Sequence, residues 1–323
     1  MSENTTAARP LEPDFETITT EELIAYREAE NRFRASAPAR AVLGEPHPGA
    51  AIEWQRLALP DRDLPVRVYR PALVEGSEAG EAGARTALPL VIHVHGGGFV
   101  GTAAQCDWTS SHLAARLPAL VVSVEHRLLA PADPLPNAAA DGWDVLDHVV
   151  RNAARWGVDP ARTAVFGESC GALISALTAL RARTAGLELK AQVLVNPVTD
   201  VTGTMFDHPS MAEHGHTSTL ALPQLRLFQR LAVPPGTDAG AVSPLHADDL
   251  GALAPALVVV PTHDPVADHG RRYAERLHAA GTPVRLSEFP GARHAFLTLP
   301  GIEPQAEAAQ SEILRFLRAA LAA

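Results

Sequence analysis

The sequence predicts an α/β fold, a mostly parallel sheet with helices on both faces, and three observations carry that prediction. From Leu88 onward, short unbroken apolar runs recur at 88–94, 120–124, 163–166, 191–195, 256–260 and 284–289. A strand covered on both faces has no polar side to alternate with, so buried parallel strands read this way. Stretches with helical spacing separate the runs, at about 104–116, 138–155, 170–183, 267–280 and 305–322. Strand, helix and strand in regular succession is the pattern of parallel crossovers. The residues able to do chemistry follow the carboxyl ends of the runs, the edge where open α/β sheets bind their ligands.

The chain's 323 residues allow one large domain or two smaller ones with a full core. A formal charge of −10 without any cluster of basic residues argues against nucleic acid or an anionic membrane as partner. A small neutral molecule is the expected partner. The two cysteines, Cys106 and Cys170, exclude a disulfide framework and fit a cytoplasmic protein. Neither a signal-like start nor a run of 18 apolar residues occurs, so no membrane span is expected.

Taken in order, residues 15–35 predict an amphipathic helix through Leu23, Ile24, Tyr26 and Phe33, with Thr19 as N-cap and Glu22 reaching back in a capping box. Pro38 and the stretch 44–49 then read as a hinge. Alternation over 51–59 and 64–69 predicts a hairpin, and 72–87, rich in Gly, Ala and Glu, an exposed loop. In 138–155, Trp143, Leu146, Val150 and Ala153 fall on one helical face, as do Ile313, Phe316, Leu317 and Leu321 near the end. Such stripes are core. The interval 198–242 breaks the alternation and reads as an insertion with a helical patch at 222–232.

The chemistry centres on Gly167-Glu168-Ser169-Cys170-Gly171, directly after an apolar run and before a helical pattern. A strand-to-helix elbow exposes the serine hydroxyl, and the glycines stand where a Cβ would collide with neighbouring chain. Alone, Gly-x-Ser-x-Gly is a weak signal that also describes a tight turn. His95-Gly96-Gly97-Gly98 follows the run 88–94, and consecutive glycines let backbone N–H groups approach a developing oxyanion. The expected donors are the N–H groups of Gly97, Gly98 and Cys170. No Lys or Ser/Thr follows in the arrangement a phosphate cradle needs. Asp264 follows the run 256–260, and His294 the run 284–289. His294 would take the proton of Ser169, with Asp264 holding the imidazole. Asp268 is the rival acid and His263 the weaker rival base. The Cys170 thiol, at a helix N-terminus, is expected either to favour thiolate, so that thiol reagents slow the enzyme, or to be buried and inert.

These motifs together resemble the hormone-sensitive-lipase-like carboxylesterases, the bacterial family IV esterases. His95-Gly96-Gly97-Gly98 lies about seventy residues before the serine motif. Asp264-Pro265-Val266-Ala267-Asp268 follows, with His294 about thirty residues further on. The resemblance runs from about residue 50 to the C-terminus and takes in Val66-Arg67-Val68-Tyr69-Arg70-Pro71, Trp156-Gly157-Val158-Asp159-Pro160 and Ser243-Pro244-Leu245. It departs at Glu168, Cys170 and Ala172, where the family commonly reads Gly-Asp-Ser-Ala-Gly-Gly, and at 126–131, which carries an extra residue. The resemblance implies an eight-stranded α/β-hydrolase core under a helical cap. The cap would be residues 1–45 and 198–242, the core 46–197 and 243–323. It also implies hydrolysis of short to medium carboxylic esters without cofactor or metal, by a monomer or homodimer.

A lactonase, thioesterase, acyltransferase or metabolite-tailoring enzyme could use the same three residues. A non-catalytic binding protein of the same fold is the alternative outside enzymes, and retention of His294 beside Ser169 and Asp264 speaks against it. His208, His214 and His216 in the insertion fit no common ligand spacing. With Phe206 and Phe228 its only aromatics, the insertion predicts an aliphatic pocket.

Overall fold

The computed structural model describes residues 9–72, 87–217 and 219–322, so most of the predicted loop 72–87 lies outside the described residues. Two helices come first, α1 (Thr20–Arg34) and α2 (Ala37–Leu43). Thr19 caps α1 in the expected box: its hydroxyl accepts from the Glu22 N–H at 3.2 Å, while the Glu22 carboxylate accepts from the Thr19 N–H at 2.9 Å. Pro38 corrects the hinge reading. It sits in the first turn of α2, where a missing N–H costs no hydrogen bond, and so opens a helix instead of breaking the chain.

The hairpin β1 (Ala50–Ala58) and β2 (Asp63–Pro71) leads into β3 (Leu88–Val94), α3 (Asp107–Arg116), β4 (Leu120–Val124), α4 (Leu135–Arg151) and the single turn α5 (Ala153–Trp156). The one helix expected at 138–155 is therefore two, divided at Asn152, whose side-chain amide turns back to the His148 carbonyl at 2.7 Å. The chain continues through β5 (Val158–Glu168), α6 (Cys170–Thr184) and β6 (Ala191–Val195). The insertion carries α7 (Pro209–His214), which periodicity did not reveal, and α8 (Leu222–Ala232), which matches the predicted patch. Then follow β7 (Ala256–His263), α9 (Ala267–Ala279), β8 (Val284–Arg293) and α10 (Ala306–Ala320).

All eight strands form one sheet in the order β1-β2-β4-β3-β5-β6-β7-β8. The pairs β1–β2 and β2–β4 are antiparallel and the rest parallel. Alternate residues of each inner strand feed opposite cores. Val91, Val121, Phe166, Val193 and Val259 pack with Leu113 of α3 and Ile313 of α10. Ile92, Val122 and Val165 pack with Leu146 of α4 and Leu173 of α6, while Val258 meets Leu277 of α9. Both faces being buried explains why these strands read as unbroken apolar runs. On the α4–α6 side, the apolar core extends into Leu23 of α1 and Leu225 and Phe228 of α8, so the N-terminal segment and the insertion share one core with the sheet.

Candidate active site

Five parallel strands end at one edge, and each delivers a residue to the same place. Glu168 closes β5, and Ser169 follows with φ 55° and ψ −120°, a backbone conformation that side chains rarely adopt. The strain is held by main-chain contacts. The Ser169 N–H donates to the Val195 carbonyl at 2.9 Å, and its carbonyl accepts from the Ala172 and Leu173 N–H groups at 3.0 and 3.1 Å. A Cβ on Gly167 would collide with the Gly171 carbonyl, and one on Gly171 with the Val94 carbonyl. The elbow thus needs both glycines for close approach of backbone to backbone.

The loops after β7 and β8 bring Asp264 and His294 to this serine. The Ser169 hydroxyl lies 2.8 Å from His294 Nε2, and His294 Nδ1 lies 2.8 Å from Asp264 Oδ2. The other Asp264 oxygen accepts from the Val266 N–H at 2.9 Å. Asp264 is wholly buried and His294 nearly so, which leaves the imidazole one orientation. Asp268 is committed elsewhere, accepting from the Ser210 N–H and from Arg271, both at 2.9 Å. His263 lies tilted against His214 of α7, with ring centroids 5.3 Å apart.

The glycine loop after β3 closes the other side. A Cβ on Gly96 would stand 3.1 Å from the Glu168 carbonyl oxygen and 3.4 Å from Ser169 Cβ, and one on Gly98 3.3 Å from Cys170 Sγ. The loop therefore lies directly against the elbow. Among the described residues, the N–H groups of Gly97, Gly98 and Cys170 donate to no backbone carbonyl. Free donors beside the Ser169 hydroxyl, one of them at the N-terminus of α6, are an arrangement that could receive a developing oxyanion. The thiolate expectation for Cys170 is overturned. Burial pushes its thiol up to about 12, which outweighs the helix N-terminus and leaves the buried, inert reading.

Two features escaped sequence reading. Asn196, at the end of β6 with φ 37°, puts its amide nitrogen 3.5 Å from His294 Nε2. An asparagine directly after an apolar run was the available signal. Behind the serine, Glu168 is buried and accepts from the Thr298 hydroxyl at 2.6 Å, with Cys106 Sγ 3.9 Å and His93 Nε2 3.8 Å from its other oxygen. Ligand atoms of His93, Cys106 and Glu168 lie within 4.8 Å of one another, the one such group among the described residues. Burial and the neighbouring carboxylates hold the Cys106 thiol protonated, so it suits hydrogen bonding better than metal ligation. His208, His214 and His216 form no such group.

Ser169 opens into a cavity of about 440 Å³ between the sheet edge and the helices α1, α2 and α8. Its lining includes Tyr26, Phe33, Phe99 and Phe228 beside Leu225 and Val198. The predicted aliphatic pocket is thus a mixed one. Three of its four aromatics come from α1 and the glycine loop, segments that a count over the insertion did not include.

Known proteins resemble the chain in family and fold. The alpha/beta hydrolase fold family matches residues 91–298. The carboxylesterase NlhH of Mycobacterium tuberculosis is 33% identical, with 99% of each chain covered, and the ethyl acetate hydrolase of Pseudomonas putida is 33% identical, with 78% of each covered. Among solved structures, a hyperthermophilic esterase from the archaeon Pyrobaculum calidifontis superposes with a TM-score of 0.81 at 29% identity, covering 93% of this chain and 94% of that one. The chain belongs to the α/β-hydrolase superfamily. Within it, the chain is a member of the hormone-sensitive-lipase-like carboxylesterases, matched over nearly its whole length. Among its described residues no helix is long and apolar enough to cross a membrane.

Proposed function

We propose that the protein hydrolyses carboxylic esters of short to medium acyl chains through an acyl-enzyme on Ser169. The observation that carries this reading is the imidazole of His294 held between the Ser169 hydroxyl and the Asp264 carboxylate, 2.8 Å from each. His294 accepts the hydroxyl proton as Ser169 attacks the ester carbonyl, and Asp264 stabilises the imidazolium that forms. The tetrahedral oxyanion is met by the N–H groups of Gly97, Gly98 and Cys170. Collapse expels the alcohol, which takes the proton from His294. Water then repeats the sequence on the acyl-enzyme, activated by the same imidazole.

The residues through 45 and those of 198–242 act as the cap, so acyl selection falls to α1, α2 and α8. A 440 Å³ cavity with four aromatic side chains suits a small or medium ester better than a long acyl chain. Similarity to an ethyl acetate hydrolase supports the short end of that range. The test is hydrolysis of p-nitrophenyl acetate, butyrate, octanoate and palmitate by wild type and Ser169→Ala, with chelator present. The expected result is a preference for the shorter chains and a loss of about 10⁴-fold or more in kcat/KM for the variant. Equal activity of the two proteins would overturn the reading.

A further inference from the structure

Helix α1 carries two parallel stripes of side chains, each at i, i+4, i+7 and offset by one residue. Tyr26, Glu30 and Phe33 line the cavity. Arg27 and Asn31 are hydrogen-bonded to the loop after β3, and Arg34, which also borders the cavity, reaches it through Gln105. Arg27 forks, its Nε donating to the Phe99 carbonyl at 2.7 Å and its Nη2 to the Leu129 carbonyl at 2.8 Å. Those two segments are already joined by the Leu129 N–H donating to the Gly98 carbonyl at 2.7 Å. Asn31 accepts from the Gly101 N–H at 2.9 Å. Arg34 donates to the Gln105 side chain at 2.6 Å, and the Gln105 amide donates to the Gly96 carbonyl at 3.0 Å. Spacings of three and four residues put all three side chains on one helical face, so a rigid element meets the loop directly at Phe99 and Gly101 and, through Gln105, at Gly96.

We propose that α1 is a positioning element for the oxyanion hole, acting through Arg27, Asn31 and Arg34. The inference rests on the reading of Gly97 and Gly98 as oxyanion donors. Their peptide planes are flanked by the groups α1 holds: the Gly96 carbonyl belongs to the peptide that carries the Gly97 N–H, and Phe99 follows Gly98. The glycines that give these donors access also leave the loop without side chains to fix it. Gly97 and Gly101 adopt φ of +89° and +103°, and besides its own bond from the Val100 N–H to the Gly97 carbonyl the loop is hydrogen-bonded by Arg27, Asn31, Gln105 and Leu129. Donor placement matters steeply, because a shift of an ångström in a site that stabilises a transition state costs rate while ground-state binding is kept. The N-terminal helix thus does more than roof the cavity; its second stripe sets the geometry of the donors.

The experiment compares wild type, Arg27→Met, Asn31→Ala and Asn31→Asp on p-nitrophenyl butyrate. Two ketone inhibitors accompany it: a trifluoromethyl ketone, which adds to Ser169 as a tetrahedral oxyanion, and its methyl ketone counterpart, a ground-state mimic. Arg27→Met and Asn31→Ala are expected to lose about 10- to 100-fold in kcat with KM within about threefold. The trifluoromethyl ketone should weaken in parallel and the methyl ketone should not. Asn31→Asp, which keeps the acceptor for Gly101, should retain most of kcat. Asn31→Ala removes one acceptor and no apolar contact, and so serves if Arg27→Met loosens the fold. Unchanged kcat in both variants, or equal weakening of the two ketones, would overturn the inference while leaving an active wild type and a silent Ser169→Ala. A wild type no more active than Ser169→Ala would remove the esterase reading and this inference together.

Discussion

The floor and the roof of the cavity are built by different means. Ser169, the glycine loop, Asp264 and His294 hang from the ends of parallel strands, and the elbow is fixed by main-chain contacts so close that Gly167 and Gly171 admit no side chain. The roof of α1, α2 and α8 is held through side chains. Arg27 and Asn31 reach the loop, Arg226 pairs with Glu16 at 2.8 Å, and Arg230 donates to the Phe15 carbonyl at 3.2 Å. Main-chain contacts leave the elbow one geometry, whereas side-chain contacts let a roof vary residue by residue around it. The contrast separates the elbow, set by its own backbone, from the glycine loop and the pocket, which lean on the roof.

Substitution in the floor should therefore cost the most. Gly97→Ala would force a side chain onto a φ of +89° and into the Val100 carbonyl. Its kcat is expected to fall by about 10²–10³, the cost of one oxyanion donor. Activity within a few-fold of wild type would break the distinction between floor and roof.

Directly after β4, Glu125 gives a smaller effect with a definite pH dependence. Burial pushes its carboxyl up to about 7, against the lowering influence of the Ala103 N–H, which it accepts at 2.7 Å, and of Arg67. Between about pH 4.5, the value in an unfolded chain, and pH 7 the folded protein keeps a proton that the unfolded chain has released. Stability from this group is thus full below about 4.5, declines as pH rises through 7, and the whole penalty stands above. Glu125→Gln keeps an acceptor without the charge. It should melt higher than wild type at pH 8, by about 1–3 kcal/mol in stability, with the gap closing towards pH 5. A gap independent of pH would contradict the raised carboxyl.

The smallest effect is expected at the roof's outer tie. Both partners of the Arg226–Glu16 pair are about half exposed, so Arg226→Ala should cost no more than about 1 kcal/mol and leave kcat unchanged. A large loss of stability there would mean that the roof is held from outside and not by its apolar side.

What the sequence made legible follows the same division. Strand-end residues announce themselves because a buried parallel strand is an unbroken apolar run, and whatever polar residue follows it stands at the ligand-binding edge. Ser169, Asp264 and His294 were readable in that way, and so was the glycine loop. Asn196 obeys the same rule, but an asparagine after a strand suits an ordinary turn equally well. The roof left weaker traces. The amphipathic pattern of α1 predicted a helix, but nothing local says that Arg27 meets Leu129 or Arg34 meets Gln105, contacts spanning about a hundred and about seventy residues. The pocket's aromatics and the inertness of Cys170 were equally illegible, since each depends on which distant segment covers the position. Pro38 misled for a local reason: a proline breaks a helix in its interior and starts one in its first turn.

The most direct test of the central claim is to trap the nucleophile. Incubation with a p-nitrophenyl phosphonate ester should form one Ser169 Oγ–phosphorus bond as p-nitrophenolate leaves, detected by peptide mass spectrometry. The account predicts one adduct per chain at Ser169, loss of esterase activity in step with labelling, and greatly slowed labelling in His294→Ala. Labelling at another residue, or full activity after complete modification of Ser169, would contradict it.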